Sequence, residues 1–279
     1  MRSRIALFSV VTAVAVGVAS CGGSSATPTV ASVLAPSSTA TVTGLTLNLS
    51  TPGVGATVNA QGVVTLSTGN AITLSSGYSS DTPSVAAVSA TGGVTGIAIG
   101  DATIAVEYQG FKATRKIHVL PNYAGTFFGN YTIDGCVDSA GFTDIGFCAS
   151  FTGLGLLPIA FSNTQSADLT TLGGLFALGD LQGTTTGAIA ADGKLTFTGG
   201  FSSGTTTMTF RDFVVTSQAV GHMQGTFKAV FVDSATSGGA TWICTMTDAI
   251  RTAGGVLPAV RAGRPAGVPS LIAALTTRR

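Results

Sequence analysis

Charged residues are scarce in this chain. Lys and Arg number 13 and Asp and Glu number 12 among 279 residues, so 9% of the chain is charged, whereas soluble domains carry ~25%. Glu107 is the single glutamate. Long solvent-exposed helices depend on such residues for their polar faces, so the scarcity nearly excludes them. Thr, Ser and Gly must supply the polar faces instead, a composition that favours strands and turns and predicts an all-β fold.

Groups for catalysis are scarce as well, since the chain has only two histidines, the side chain most often used as a general base. Ser202 lies in the motif GFSSG at residues 200–204, which matches the G-x-S-x-G nucleophile elbow, and Asp212 and His222 follow in the order found in α/β-hydrolases. An elbow needs a helix after the serine, but residues 205–210 have the pattern of a β-branched strand. We therefore expect a Ser/Gly hairpin loop here, no catalytic residue and a protein that is not an enzyme.

The sequence indicates no metal, cofactor or nucleic-acid site. Asp134, Asp138 and Asp144 share one short stretch, which lacks the position-six glycine and the closing glutamate of an EF-hand, so we expect solvated loop acids. His118 alternates with apolar neighbours and is expected to be a surface residue of a strand. Neither a Walker A motif nor a dinucleotide fingerprint follows a strand. The low positive charge also disfavours nucleic acid as a partner.

The amino terminus has the pattern of an export signal. A basic start at residues 1–4 precedes an uncharged, mostly apolar run of 14 residues, 5–18, which is too short for a transmembrane helix of ~20 residues and suits the h-region of a secretory signal. The letters VASC at 18–21 resemble the lipobox of bacterial lipoproteins. This resemblance implies a signal peptide at 1–20 and a lipid on Cys21. The alternative is an ordinary signal peptide with a coincidental cysteine at this place.

The lipobox resemblance also implies a location in the cell envelope. Two or three acyl chains on Cys21 anchor a protein to a membrane without a spanning segment. A glycine follows Cys21, in place of the aspartate that favours inner-membrane retention, which implies the outer membrane, with the protein periplasmic or surface-exposed. Residues 22–43 contain no charge, aromatic residue or cysteine. We expect residues 21–43 to be the lipidated cysteine and a flexible tether.

Residues 44–121 have the pattern of a β-sandwich, because short runs of Val, Ile, Thr and Leu alternate with turn residues about every 8–12 positions. Residues 78–89, 93–96 and 100–104 resemble the bacterial Ig-like group 2 (BIG2-type) repeat of surface proteins and adhesins. This resemblance implies an Ig-like domain that acts as a spacer or presents a surface. The glycine pair at 92–93 predicts a hairpin turn. Period-two alternation predicts four side chains in the core: Ile97, Ile99, Ile104 and Val106.

Residues 122–250 predict a second all-β domain, an antiparallel meander that forms a barrel or a sandwich of about eight strands. The candidate strands are 126–133, 147–162, 167–178, 183–190, 194–198, 206–216, 222–232 and 240–249. The expected inward side chains are Phe128, Phe147, Phe151, Leu156, Phe176, Leu195, Phe197, Phe210, Phe227 and Trp242. The stretch loosely resembles lipocalin-like domains of secreted bacterial lipoproteins, which implies a barrel able to enclose a small hydrophobic ligand.

Three cysteines remain once Cys21 is assigned to the lipid. Cys136 and Cys148 lie where the first strand ends and the second begins, so we predict a disulfide between them. If the sheet closes into a barrel, the first and last strands are neighbours, and Cys136 with Cys244 is the alternative pair. Either pairing leaves one free thiol. Four zinc ligands are not available at zinc-site spacing, so no metal is expected.

The carboxyl-terminal residues 251–279 contain five arginines and no acid, while residues 21–250 contain 6 basic and 12 acidic residues. We expect a disordered basic tail; the alternative is a tail that contacts the acidic domains or anionic lipid. Together these features predict a non-enzymatic, lipid-anchored envelope protein whose Ig-like spacer presents a β-domain. Its partner would be a protein, a glycan or a small hydrophobic ligand, and the alternative function is a lipocalin-like carrier.

Overall fold

The computed structural model describes residues 40–252, 270, 271 and 273, apart from the side chains of residues 217 and 218. The described chain consists of a closed eight-stranded barrel and three small sheets, so the predicted all-β fold class is confirmed. The signal peptide, Cys21 and most of the expected tether lie outside the described residues, as do residues 253–269 of the tail. Among the described residues, no helix has both the length and the apolar character needed to cross a membrane.

The first nine strands precede the barrel, and we call the part of the chain that contains them, residues 42–119, the amino-terminal domain. They form three sheets of three strands, ordered β1-β3-β4, β2-β7-β6 and β5-β8-β9. The first strand begins two residues before the expected start of this domain. The strand bounds are β1 Val42–Asn48, β2 Thr57–Asn59, β3 Gln61–Leu66, β4 Ala71–Thr73, β5 Tyr78–Ser80, β6 Ala86–Val88, β7 Gly93–Gly96, β8 Gly100–Tyr108 and β9 Phe111–Val119.

The core of the amino-terminal domain confirms two of the four predicted inward residues. Ile104 and Val106 of β8 are fully buried, as alternation requires. The predictions that Ile97 and Ile99 lie in the core are wrong, because their exposed fractions are 49% and 39%. The strand β7 ends at Gly96, so strand alternation does not apply to the next residues. The predicted hairpin turn is present between β6 and β7, which pair antiparallel.

The barrel consists of β10 to β17, each paired antiparallel with the next, and the pairing of β10 with β17 closes it. Closure removes the free strand edges that an open sheet would expose. Two short helices, α1 and α2, lie between β10 and β11. The bounds are β10 Gly125–Ser139, α1 Gly141–Asp144, α2 Phe147–Phe151, β11 Leu157–Gln165, β12 Thr171–Leu178, β13 Leu181–Ile189, β14 Leu195–Ser203, β15 Thr206–Ala219, β16 His222–Asp233 and β17 Gly238–Thr252.

One predicted strand, residues 147–162, is wrong in its first part. Phe147–Phe151 is the helix α2, and the strand β11 begins at Leu157. Phe147 and Phe151 are nonetheless buried, as expected. Residues four apart share a face in a helix and also in a strand, so this pair of phenylalanines is compatible with both structures.

Six predicted inward residues of the barrel are buried as expected: Phe176, Leu195, Phe197, Phe210, Phe227 and Trp242. Two others are wrong by one position. Phe127 is fully buried in place of Phe128, and Leu157 is buried while Leu156 is 55% exposed. A shift of one residue moves a side chain to the other face of a strand, and each error falls on a pair of identical neighbours.

The amino-terminal domain contacts one end of the barrel, which we call the proximal end. In the segment that joins this domain to the barrel, the hydroxyl of Tyr123 donates a hydrogen bond to the carbonyl oxygen of Gly193 (2.9 Å) in the turn between β13 and β14. A Cβ atom at Gly193 would lie 2.5 Å from Cδ1 of Ile99 and 2.9 Å from Cγ of Pro121. These contacts explain why Ile99 faces outward from its own domain, because it packs against the barrel turn.

Candidate binding groove

The residues of the possible hydrolytic triad are not brought together. Ser202 lies within β14 near the end of the barrel opposite the proximal end, which we call the distal end. His222 begins β16 at the proximal end. Oδ2 of Asp212 accepts a hydrogen bond from Nζ of Lys228 (2.7 Å), and this bond lowers the pKa of Asp212. Nδ1 of His222 lies 3.2 Å from the carboxylate of Asp248. A strand and a turn follow Ser202, so the nucleophile elbow is absent from this part of the structure.

The predicted disulfide between Cys136 and Cys148 is confirmed, with Cα atoms 5.5 Å apart. The alternative pairing with Cys244 is wrong, because Cys136 lies opposite Trp242 in the register of β10 and β17. Cys244 is buried and free, and burial raises the pKa of its thiol. It therefore behaves as a small apolar side chain of the core rather than as a reactive group.

The disulfide holds the two helices against the end of β10. Asp138 reinforces it, since its carboxylate accepts hydrogen bonds from the backbone N–H of Cys148 (3.0 Å) and the hydroxyl of Thr143 (3.1 Å). The carboxylate thus binds both helices to the strand. The expectation that Asp138 is a solvated loop acid is wrong, because this carboxylate has a structural role beside the disulfide.

The helices close the distal end of the barrel. Phe142, Phe147 and Phe151 are buried there. The ring of Phe147 stacks on Trp242 with centroids 5.6 Å apart and meets Phe231 edge-on at 5.2 Å. Aromatic packing of this kind contributes about 0.5–1.5 kcal/mol per pair beyond the burial of area. This end of the barrel is therefore a packed cluster of rings.

Part of the basic tail also packs on the distal end. Leu271 is 4% exposed and belongs to the hydrophobic core of the barrel. Oδ1 of Asp180, in the turn between β12 and β13, accepts a hydrogen bond from the backbone N–H of Leu271 (2.9 Å), and Oδ2 of the same carboxylate accepts one from the hydroxyl of Ser270. The expectation of a disordered tail is therefore wrong for these residues, because the core buries a leucine from within it.

Aromatic rings fill the barrel interior. Phe161 and Phe197 stack with centroids 5.2 Å apart, and Phe213 meets Phe197, Phe210 and Phe227 at 4.7–5.1 Å. Interiors packed in this way have few voids larger than a water molecule. This arrangement differs from that of a carrier, which needs an internal cavity for its ligand.

Two polar side chains lie within this apolar interior. Asn163 and Thr185 are 5% and 2% exposed, and each is paired in register with Gly174, which lies between them on β12. The amide atoms of Asn163 and the hydroxyl of Thr185 have no hydrogen-bond partner in the described structure. Such groups each cost about 1–3 kcal/mol of stability.

The outer surface of the barrel carries a groove of about 550 Å³ on β13, β14 and β15. It forms where β13 and β14 separate, because their ladder ends at Thr184–Gly200 while β14 and β15 stay paired as far as Ser203–Thr206. The groove is lined by Gln182, Gly183, Thr184, Gly200, Phe201, Ser202, Thr207, Met208 and Thr209.

The walls and the floor of the groove differ in chemistry. The wall side chains are exposed hydroxyls and one exposed amide, from Thr184, Ser202, Thr207, Thr209 and Gln182. The floor contains Phe201, which is partly buried and packs on the core, whereas the side chain of Met208 is fully buried and offers no surface to a ligand. None of the nine lining residues is charged. The groove therefore offers hydrogen bonds and some apolar surface, but no ion pair.

Glycine is required at the point where the strands separate. A Cβ atom at Gly183 would lie 2.1 Å from the carbonyl oxygen of Gly200, and a Cβ atom at Gly200 would lie 2.1 Å from that of Met208. Sequence reasoning missed this groove, because it treated residues 200–204 only as a hairpin loop. The abundance of glycine within the strands was the available signal, since such glycines mark bends and close backbone approach.

Comparisons with known proteins show no relative that assigns the chain. No protein-family model matches it, and no curated protein sequence matches it. Among solved structures, domains 1–6 of the surface layer protein SbsC align with a TM-score of 0.26 and 16% identity over 72% of this chain and 40% of that one. The S-layer protein rSbsC aligns over the same shares with a TM-score of 0.26 and 15% identity. The chain thus spans less than half of these structures.

Proposed function

We propose that this protein is a lipid-anchored, non-enzymatic lipoprotein of the cell envelope, in which the Ig-like domain is a spacer and the barrel binds a partner. The lipobox resemblance at Cys21 supports the anchor and favours the outer membrane, with the protein periplasmic or surface-exposed. The observation that carries the binding role is the uncharged groove on β13 to β15, on the outside of a barrel whose interior is packed. The separation of Ser202 from His222 supports the absence of hydrolytic activity.

The carrier function is the second candidate, and one observation favours it. The unpartnered polar atoms of Asn163 and Thr185 face the barrel interior, where the polar end of a small hydrophobic ligand could satisfy them. The packed aromatic rings argue against it, because a ligand would have to displace them. Native mass spectrometry of the purified protein separates the two functions. An additional mass that is lost on denaturation and belongs to a hydrophobic molecule supports the carrier, and a bare protein mass argues against it.

The anchor is tested by labelling growing cells with an alkyne fatty acid. We expect the full chain to carry the label and to remain in the membrane fraction after a high-salt wash, and the Cys21→Ala variant to lose both properties. Cys244→Ala is the matched control, since it removes a cysteine buried in the barrel and leaves Cys21 intact. If wild-type protein is unlabelled and appears in the soluble fraction, the lipid anchor is wrong and an ordinary signal peptide remains.

A further inference from the structure

We propose that the groove on β13 to β15 binds a neutral oligosaccharide. This inference rests on the proposed binding role of the barrel and adds the chemical class of its ligand. The groove volume of about 550 Å³ falls within the ~300–1,000 Å³ of small-ligand sites. Because its wall residues are exposed, a segment of a longer glycan chain can enter it from solvent.

The lining favours a sugar over a charged ligand. Serine and threonine hydroxyls both donate and accept hydrogen bonds, as the hydroxyls of a sugar do, and the groove presents them on three neighbouring strands through Thr184, Ser202 and Thr207. A phosphate, a sulfate or a uronic acid would lose hydration without gaining an opposite charge, because no lining residue is charged. The ligand is therefore rich in hydroxyl groups and neutral.

The floor supplies the remaining part of the recognition. Phe201, which is partly exposed, lies at the base of the groove. A pyranose ring has an apolar face of C–H groups between its hydroxyls, and such a face packs on an aromatic ring. An apolar floor between hydroxyl walls therefore matches the two surfaces of a sugar ring.

The geometry disfavours a peptide that adds as a strand. An added strand would have to pair with the residues of β13 and β14 beyond the close approach of Gly183 and Gly200, where a Cβ atom at Gly183 would lie 2.1 Å from the carbonyl oxygen of Gly200. The part of β13 that is not paired with β14 is also short, from Leu181 to Gly183. Strand addition depends on a longer open edge that supplies a row of main-chain hydrogen bonds.

The test uses the full chain purified in detergent and a set of defined probes measured by isothermal titration calorimetry. The neutral probes are hexaoses of glucose, mannose, xylose and N-acetylglucosamine. The charged probe is an oligogalacturonate, and the peptide probe is an octapeptide of alternating Thr and Val. We expect at least one neutral hexaose to bind, with no binding of the charged or the peptide probe.

Variants then locate the binding. Thr184→Val and Thr207→Val each remove one wall hydroxyl while keeping a β-branched side chain, so the strands persist, and each should weaken binding about fivefold or more. Thr186→Val is the matched control, since Thr186 faces outward on the same strand two residues away and contacts Thr198 (2.9 Å), outside the groove. Its dissociation constant should equal that of the wild type.

Three results would overturn the proposal: no neutral hexaose binds, a hexaose binds equally to the wild type and to both wall variants, or only the charged or peptide probe binds. If only the charged or the peptide probe binds, and Thr184→Val weakens that binding, the ligand is not a neutral sugar but the barrel remains a binding domain. Failure of the Cys21 labelling experiment concerns the anchor alone, so the two proposals fail separately.

Discussion

Nε2 of His118, on the last strand of the amino-terminal domain, lies 3.0 Å from the carbonyl oxygen of Ala191 in the barrel. Nδ1 of the same ring lies 2.7 Å from Oδ1 of Asp101. Both partners are acceptors, so the ring satisfies both only when each nitrogen carries a proton, which makes it an imidazolium. His118 thus connects the two domains most completely in its charged form.

Stability should therefore fall as the pH rises through the pKa of His118. Hydrogen bonding to Asp101 raises that pKa above ~6.5, and Ala191 adds to the effect, while partial burial and Lys116 oppose it. A group whose pKa is raised by folding stabilises the folded state fully at pH values below its unfolded-state pKa. This stabilisation is lost as the pH rises through its folded-state pKa. We expect the melting temperature to decrease between pH 6 and 8.5, and this decrease to shrink in His118→Gln.

An NMR titration of the His118 imidazole checks the same relationship directly. The ring of His118 should titrate above ~6.5, and Asp101→Asn should lower its pKa, since that carboxylate is the largest cause of the shift. His222→Gln is the control, because His222 interacts with Asp248 at a different place on the proximal end. A His118 pKa at or below the unperturbed value would contradict the imidazolium bridge.

Loss of the disulfide should loosen the distal end of the barrel. Cys136 and Cys148 are 12 positions apart in the sequence. Replacing both with alanine opens the loop that the disulfide closes and should lower the free energy of unfolding by about 2–3 kcal/mol. Urea titrations followed by fluorescence of Trp242, the single tryptophan, report on this end because Phe147 stacks on it. Cys244→Ala is the control and should keep its sensitivity to reductant, which the double variant should lack.

Replacing Asn163 with leucine should not destabilise the protein. Its buried amide lacks hydrogen-bond partners in the described structure, and an apolar residue of similar size removes that cost, so the free energy of unfolding should rise by about 1 kcal/mol. Asn130→Leu, at an exposed position of β10, should change it by less than about 0.5 kcal/mol. A loss of stability in Asn163→Leu would instead indicate that the interior holds a polar ligand or an ordered water.

Shortening Leu271 should destabilise the barrel, although it lies 19 residues beyond the last strand. Leu271→Ala removes a buried side chain and should cost about 2–5 kcal/mol. Leu175→Ala, at a position 50% exposed on β12, should cost less than about 0.5 kcal/mol. Equal midpoints for both variants in urea would show that the tail contributes nothing to the core.

The sequence predicted the elements of the barrel better than their exact registers. Composition and alternation located the eight strands, because each strand needs one apolar face. Neighbouring identical residues, such as Phe127 and Phe128, give no basis for choosing which one points inward. The helix α2 escaped detection because its two buried phenylalanines fit either periodicity.

The candidate groove depended on strand pairing that local sequence patterns indicate only in part. It exists because the β13–β14 ladder ends at Thr184–Gly200 while the next ladder continues. The glycines at 183 and 200 indicate a close backbone approach, but they do not indicate where the ladder between the two strands ends. The Cys136–Cys148 disulfide was predictable for the opposite reason, since it joins residues close together in the chain.

Closure of the barrel also sets the order in which the chain can fold. Thr126 pairs with Thr252, so the last ladder joins the first and the last strand of the barrel, which are separated in the chain by nearly the whole barrel sequence. Contacts of such long range slow folding. The hairpins between consecutive strands and the local disulfide can form first, but the barrel cannot close until β17 has emerged. The largest core of the described chain therefore assembles only after the final strand has been delivered.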